Sequence, residues 1–247
     1  MIALHIQNAL LKFEQRVLFQ SLSIAIEAGQ WTCILGASGV GKSSLLRLIA
    51  DLAPPDCQAE ITASDQQPLK NRISYMAQSD LLLPWASVLD NVLIGDRLRG
   101  QCRKNRVTHA KTMLQQVGLT EAALLKPAQL SGGMRQRVAL ARTLFEDKPV
   151  VLMDEPFSAL DAVTRHRLQA LSCKLLQGKT VLLVTHDPLE ALRLGHRIVI
   201  LAGAPASIVH TVDLSNSQPP RDIADPQLLK LQSELLQQLM QAMEGVS

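Results

Sequence analysis

Aromatic side chains are scarce in this 247-residue chain, at 3% of residues, so a ring left on its surface would be telling. Neither sign of charge is in large excess. A formal net charge of +3 gives no reason to expect nucleic acid as a partner. The cysteines, Cys33, Cys57, Cys102 and Cys173, form no C-x-x-C pair and accompany no histidine cluster, and read as buried, reduced thiols of a cytosolic protein. No apolar run approaches the roughly 20 residues of a membrane helix. Any membrane role would therefore be borrowed from a partner. The opening residues MIALHIQNALLKFEQ lack a basic stretch followed by an apolar one, so no secretory leader is expected. Internal repeats and low-complexity tracts are also missing.

What is there reads as a folded α/β chain. "IALHIQNALLKF" and "SLSIAIEAG" read as strands, and Gly29 turns into "WTCILG", a short buried strand. The apolar segment "KSSLLRLIADL" predicts a helix from Lys42 to about Asp51, ended by Pro54 and Pro55, and "AEITASDQQPLKNRISYMAQ" reads as strand, turn, strand. Residues 87 to 126 read as an inserted helical unit with Gly100 and Gly118 as stops and Ser87 with Asp90 as an opening cap. From Val138 the expected order is helix, "PVVLMDEP" strand, helix 161 to 177, "TVLLVTH" strand, helix and "RIVIL". Its unbroken apolar runs predict parallel strands buried on both faces. Leu228, Leu231, Leu235, Leu239 and Met243 predict a packed terminal helix with Asp225 as cap and Pro226 at its first position.

Two glycine-rich loops open helices in this chain. "GASGVGKSS", Gly36 to Ser44, follows a predicted strand and precedes a predicted helix, the context the G-x-x-x-x-G-K-[ST] phosphate loop requires. Its backbone amides would wrap a β-phosphate, Lys42 would reach the β- and γ-phosphates, and the Ser43 hydroxyl would bind Mg²⁺. "VVLMDEP" delivers Asp154 and Glu155 to a strand's carboxyl edge, Asp154 for Mg²⁺ through the Ser43 shell and Glu155 to polarise water. "LLVTHDP" places His186 at another strand end, where the other motifs make it a γ-phosphate contact. Gln78 follows a strand too and by itself signals nothing. Phe13 on the first strands suits either adenine stacking or the core. The second loop, "LSGGMRQR" from Leu130 to Arg137, raises the question of why one domain carries two anion-binding devices.

Together "GASGVGKS", Gln78, "LSGGMRQR", "VVLMDEP", "SALD" and His186 resemble the ATP-binding cassette ATPases over roughly residues 1 to 210. The resemblance implies a P-loop NTPase (RecA-like) core with an N-terminal antiparallel β-subdomain and an inserted α-helical subdomain. Residues 1–78 and 138–210 would form the core with its β-subdomain, 79–137 the helical subdomain and signature, and 211–247 a helical tail. ATP would be held by Phe13, Gly36, Ala37, Ser38, Gly39, Val40, Gly41, Lys42, Ser43 and Ser44. Catalysis would involve Lys42, Gln78, Glu155 and His186, and Mg²⁺ would be held by Ser43, Gln78 and, through water, Asp154. In a head-to-tail homodimer Ser131, Gly132, Gly133 and Asp161 would serve the partner's ATP, so that the two loops of one chain address two nucleotides. The implied setting is peripheral, on the cytoplasmic face of the inner membrane. Two transmembrane permease subunits would be direct partners, and a periplasmic or lipid-anchored solute-binding protein an indirect one.

"AQSDLLLPWASVLDNVLIG" is similar to a segment of the importer ATPases for taurine, sulfonates, nitrate and thiamine-pyrimidine precursors, and "ASGVGKS" with "MAQ" leans toward the last. In that reading Leu81 to Trp85 receive a helix of the membrane partner; the alternative is packing against the helical subdomain. Rival functions are a soluble cassette ATPase, such as the iron–sulfur assembly type, and a small-molecule P-loop kinase, which has no need of the second loop. Two departures stand out. "LIADLAPPDCQAEI" lacks the glycines many relatives carry after the phosphate-loop helix, and Phe13 replaces the more usual Tyr or Trp.

Overall fold

A computed structural model describes residues 1–13, 16–54, 57–101 and 103–244. Strand β1 (Leu4–Phe13) pairs antiparallel with β2 (Arg16–Ile26), and the chain then enters β3 (Trp31–Gly36), whose first five residues are all buried. Helix α1 (Lys42–Ile49) follows the glycine-rich loop. It ends through local geometry rather than through the prolines. Asp51 takes a left-handed φ of 59°, and Leu52 N–H closes on the Arg47 carbonyl at 2.8 Å. An aspartate here does what glycine does at many helix ends, which answers the missing glycine. Pro54 comes only afterwards, and Pro55 lies outside the described residues.

Next come β4 (Gln58–Ala63) and β5 (Ile73–Met76), which do not pair with one another. The first joins a three-stranded sheet of order β2-β1-β4, and the second is the edge of the main sheet. The helical stretch holds α2 (Val88–Val92), α3 (Ile94–Leu98) and α4 (Lys104–Gln116). Gly100 and Gly118 stand at φ 67° and 70°, as stops should. The Ser87 hydroxyl accepts from Asp90 N–H at 3.1 Å, whereas the Asp90 carboxylate turns to Arg97 instead of completing the cap.

Helix α5 (Gly132–Phe145) starts six residues before Val138 and is continuous across it. The chain continues through β6 (Val150–Asp154), α6 (Ala162–Leu175), β7 (Thr180–Val184), α7 (Pro188–Leu194) and β8 (Arg197–Gly203). A further strand, β9 (Ala206–Asp213), absent from the sequence reading, pairs antiparallel with β8 and carries the sheet past residue 210. The terminal helix α8 spans Pro226–Glu244, with Leu228 and Leu235 buried; the Met243 side chain lies outside the described part.

The main sheet runs β5-β6-β7-β3-β8-β9, parallel through β8. Alternate strand residues enter two separate cores. Cys33, Leu35, Val151, Met153, Leu183 and Ile200 face a core shared with α5 and the later helices. Ile34, Leu152, Leu182, Val184, Val199 and Leu201 face α1 and the antiparallel sheet. Burial on both faces is why these strands are apolar without alternation, and each fully buried Leu or Ile contributes about 1.5–3 kcal/mol.

Candidate functional site

The loop between β3 and α1 is shaped by glycines at two close approaches. A Cβ on Gly36 (φ 156°) would stand 2.4 Å from the Leu201 carbonyl oxygen, and one on Gly41 (φ 105°) would stand 2.7 Å from Phe19 Cζ. No side chain caps α1, so its first amides are presented to the cleft in front of them. Lys42 is buried, and its ammonium donates to the carbonyls of Gly36 at 2.7 Å and Ala37 at 2.9 Å. Burial lowers its pKa, while Glu155 and Asp154 pull it back up. The cleft, of about 380 Å³, is lined by Leu18, Ser38, Gly39, Gly41, Lys42, Ser43, Ser44, Gln78 and Glu155. Gly36, Ala37 and Val40 lie on the loop's other side.

Asp154 ends β6 at 2% exposure, and its Oδ1 has no hydrogen-bond partner. Burial pushes its carboxyl above the ordinary range, the Ser43 hydroxyl opposes this, and neighbouring Glu155 adds to it. A buried, half-unpaired carboxylate facing a hydroxyl and an ammonium suits a divalent cation that completes its shell with phosphate and water. Among the described residues no group of three or more His, Cys, Asp or Glu could hold a metal by itself.

Glu155 has a positive φ of 49°, uncommon for a side-chain-bearing residue and a strain of about 1–3 kcal/mol. Its N–H donates to Val184 O at 2.9 Å, and its carbonyl accepts from Gln136 Nε2 and Ser158 Oγ, each at 3.0 Å. The carboxylate meets two expected residues at once. His186 Nδ1 lies 3.1 Å from Oε1, and Gln78 Nε2 donates to Oε2 at 3.4 Å. Three strand ends thus deliver Gln78, Glu155 and His186 to one place.

The signature residues are elsewhere. None of Ser131, Gly132, Gly133 and Asp161 lines the cleft. Ser131 is exposed, and its hydroxyl caps α5 by accepting from Met134 N–H at 3.2 Å. Gly133 passes so close to Ala159 that a Cβ would stand 3.2 Å from the carbonyl oxygen. Asp161 is exposed and caps α6, accepting from Thr164 N–H at 2.9 Å; that bond holds its carboxyl below the usual range. Phe13 closes β1 opposite Arg16, and its side chain lies outside the described residues.

The segment after Gln78 divides. Leu81 and Trp85 are exposed at 62% and 72%, and Pro84 is exposed, but Leu82 packs against the core and Leu83 is half-buried. The five residues therefore do not form one apolar face. Buried Asn91 pins the turn, accepting from Leu83 N–H at 2.7 Å and donating to three carbonyls.

Sequence reasoning missed Gln136, buried in α5. Its amide donates to Glu155 O and Ser158 Oγ and accepts from Ala159 N–H at 2.8 Å. It ties the signature helix to the strained loop behind Glu155. Arg142 of the same helix donates to Asp80 O and Leu81 O, and Arg135 pairs with Asp80 at 3.0 Å. Arg135 and Arg142 share the helix face toward Asp80, whereas Gln136 lies roughly 100° around it toward the Glu155 loop, so no single polar stripe pointed to it.

Comparison with known proteins agrees with this geometry. The family model for the ABC transporter matches residues 19–158. An uncharacterized ABC transporter ATP-binding protein of Haemophilus influenzae is 43% identical, covering 95% of this chain and 97% of its own. The taurine import ATP-binding protein TauB of Pseudomonas aeruginosa PAO1 is 39% identical, with 95% of each chain covered. The aliphatic sulfonates import ATP-binding protein SsuB of Escherichia coli K12 is 40% identical over 96% and 91%. Among solved structures, the dimeric bacterial ABC transporter cassette MJ0796 superposes with a TM-score of 0.75 at 29% identity, covering 85% of this chain and 98% of that one. Its post-hydrolysis dimer bound to ADP and Pi gives a TM-score of 0.70 at 30% identity, covering 87% and 99%.

Proposed function

The chain belongs to the ABC transporter ATP-binding family, and from that premise we infer that it is the ATP-hydrolysing subunit that energises a small-solute importer. The observation that carries this reading is the convergence of Lys42, Gln78 and Glu155 on one cleft, with Asp154 beneath it and His186 on Glu155. In the proposed reaction the Lys42 ammonium exchanges its two loop carbonyls for β- and γ-phosphate oxygens. The amides of residues 38 to 44 wrap the β-phosphate. Glu155 orients the attacking water and accepts its proton, and Gln78 and His186 hold the carboxylate and the γ-phosphate. Mg²⁺, held by Ser43, by Gln78 and through water by Asp154, would neutralise developing phosphate charge.

Ser131, Gly132, Gly133 and Asp161 serve the partner's ATP in a head-to-tail homodimer, a reading supported by their exclusion from their own cleft. Phe13 is assigned to adenine. Residues 1–78 and 138–210, extended by β9, form the core; 79–137 form the helical subdomain, joined to the core by α5. Two permease subunits receive the exposed Trp85 and Leu81, placing the chain at the cytoplasmic face of the inner membrane with a solute-binding protein beyond it. Taurine and aliphatic sulfonates, named for TauB and SsuB, favour a small sulfonate over the nitrate and pyrimidine-precursor alternatives.

Coexpression with a candidate pair of permease subunits tests the coupling. Wild-type chain should purify with both membrane subunits and release phosphate from ATP. Trp85→Ala should keep its melting temperature and hydrolysis within about twofold, as exposed surface substitutions do, yet lose the membrane subunits. Purification with a soluble scaffold, or assembly unaffected by Trp85→Ala, would sink this coupling.

A further inference from the structure

A second space lies against the phosphate loop. This apolar cavity of about 130 Å³ has loop residues 36 to 40 as one wall and residues 200 to 203 of β8 as another. Leu239 and Ala242 of α8 form the third. Ser38 and Gly39 line both this cavity and the nucleotide cleft, so the loop is the partition between them.

That partition is held at its start, where Lys42 donates to the Gly36 and Ala37 carbonyls, and has little support beyond it. Its glycines stand at φ 156°, 79° and 105°, and Val40 N–H reaches Ala37 O only at 3.3 Å. Gly36 is backed by Leu201 and Gly41 by Phe19, but a Cβ on Gly39 would meet nothing within 4 Å. Helix α8, by contrast, is firmly rooted at its start. Leu228 and Leu235 are buried in the core. The guanidinium of Arg221, just before it, donates to the carbonyls of Leu192, Gly195, Leu214 and Ser217 at 2.7–2.8 Å. One and two turns beyond Leu235, Leu239 and Ala242 stand across this cavity from the loop.

We propose that Leu239 and Ala242 are positioning residues for ATP: the tail helix backs residues 36 to 40 and pre-sets their amides before the phosphates arrive. Preorganising a glycine-rich loop lowers the ordering cost of binding and acts on ground state and transition state alike. The effect should therefore fall on nucleotide affinity rather than on turnover. The proposal rests on the reading of this loop as the ATP site.

The test uses the full chain with Leu239→Ala, Leu239→Met and Leu239→Ala/Ala242→Leu, the last refilling the enlarged cavity. ATP Kd by fluorescent-nucleotide titration, ATP KM, kcat and melting temperature are measured for each. Leu239→Ala should raise Kd and KM about 3- to 10-fold with kcat at saturation within about twofold, the pattern of lost uniform binding. Leu239→Met and the refilled double variant should restore affinity. Ending the chain after Gln238 keeps both buried anchors and should reproduce the Leu239→Ala result. A lower melting temperature with unchanged Kd and KM, or affinity that neither rescue restores, overturns the positioning role. Wild-type chain that binds no ATP would instead overturn the nucleotide reading itself.

Discussion

The chain opens two helices on glycine-rich loops, and the two are not equivalent. At α1 no side chain caps the helix, a buried lysine lies over the loop, and a carboxylate with one unpartnered oxygen sits below it. At α5 the Ser131 hydroxyl already satisfies the Met134 amide, and the nearest arginine, Arg135, is committed to Asp80 and to the Leu130 carbonyl. The first loop collects cation, acid and amides in one cleft. The second presents exposed Ser131 and Gly132, and none of its residues lines the first loop's cleft. A complete loop can hold a ligand alone; an incomplete one acquires a role when another surface meets it.

Mixing defective chains gives the sharpest test of that difference and the largest expected effect. Lys42→Ala removes the phosphate-reaching charge, and Ser131→Arg fills the space proposed for the partner's γ-phosphate, while also removing a helix cap at a cost of about 1 kcal/mol. Either homodimer should fall to background in ATP-dependent dimerisation and hydrolysis. A mixed dimer contains one intact composite site and should recover closure around one ATP. If differently tagged chains demonstrably pair and recover neither, the second loop does not act in trans and the comparison loses its meaning.

A smaller but still large effect belongs to the first loop's cleft alone. Glu155→Gln should retain ATP affinity while slowing hydrolysis by about 10²-fold or more, as loss of one preorganised transition-state group does. It should also accumulate an ATP-bound dimer on size exclusion. Turnover close to wild type would remove Glu155 from the role of orienting water.

The smallest effect should come from the residue that joins the two regions. Gln136→Leu breaks the bonds to Glu155 O, Ser158 Oγ and Ala159 N–H. Glu155 O keeps its bond from Ser158 Oγ, so the loss is chiefly the partner of Ala159 N–H and should destabilise the chain by about 1 kcal/mol. Released from this restraint, strained Glu155 should lose its aim, lowering kcat by about 3- to 10-fold with KM little changed. Chemical denaturation and steady-state kinetics on the same preparation separate these effects. Lower stability with unaltered kcat would make Gln136 a packing residue only.

Much of this was legible in the linear chain, for reasons that differ by element. The loop from Gly36 to Ser44 is contiguous, and its chemistry depends on neighbours one to eight residues away. Asp154, Glu155 and His186 were legible because apolar strands of a doubly covered parallel sheet end where their apolar runs end. Phase was harder to read. Leu82 packs inward while Leu81 and Trp85 point out, although all belong to one apolar run. The turn around them is set by Asn91, 8 residues past Leu83, and by Arg142, 61 residues past Leu81, which no local pattern includes. Strand β9 was overlooked because its polarity and its burial disagree: Val209 is exposed at 49% while His210 is half-buried, which blurs the alternation that marks a strand.

The linear chain located the glycine-rich loop before α1, the acids at the end of β6 and the second glycine loop before α5, because each is a short-range pattern. Tertiary structure alone decided that β4 and β5 join different sheets, that Gln136 reaches behind Glu155, and that α8 arrives at the back of the phosphate loop. These are contacts between segments tens to hundreds of residues apart. Residue spacing specifies which face of a helix or strand is apolar, but which surface covers that face is settled only when the whole chain packs at once.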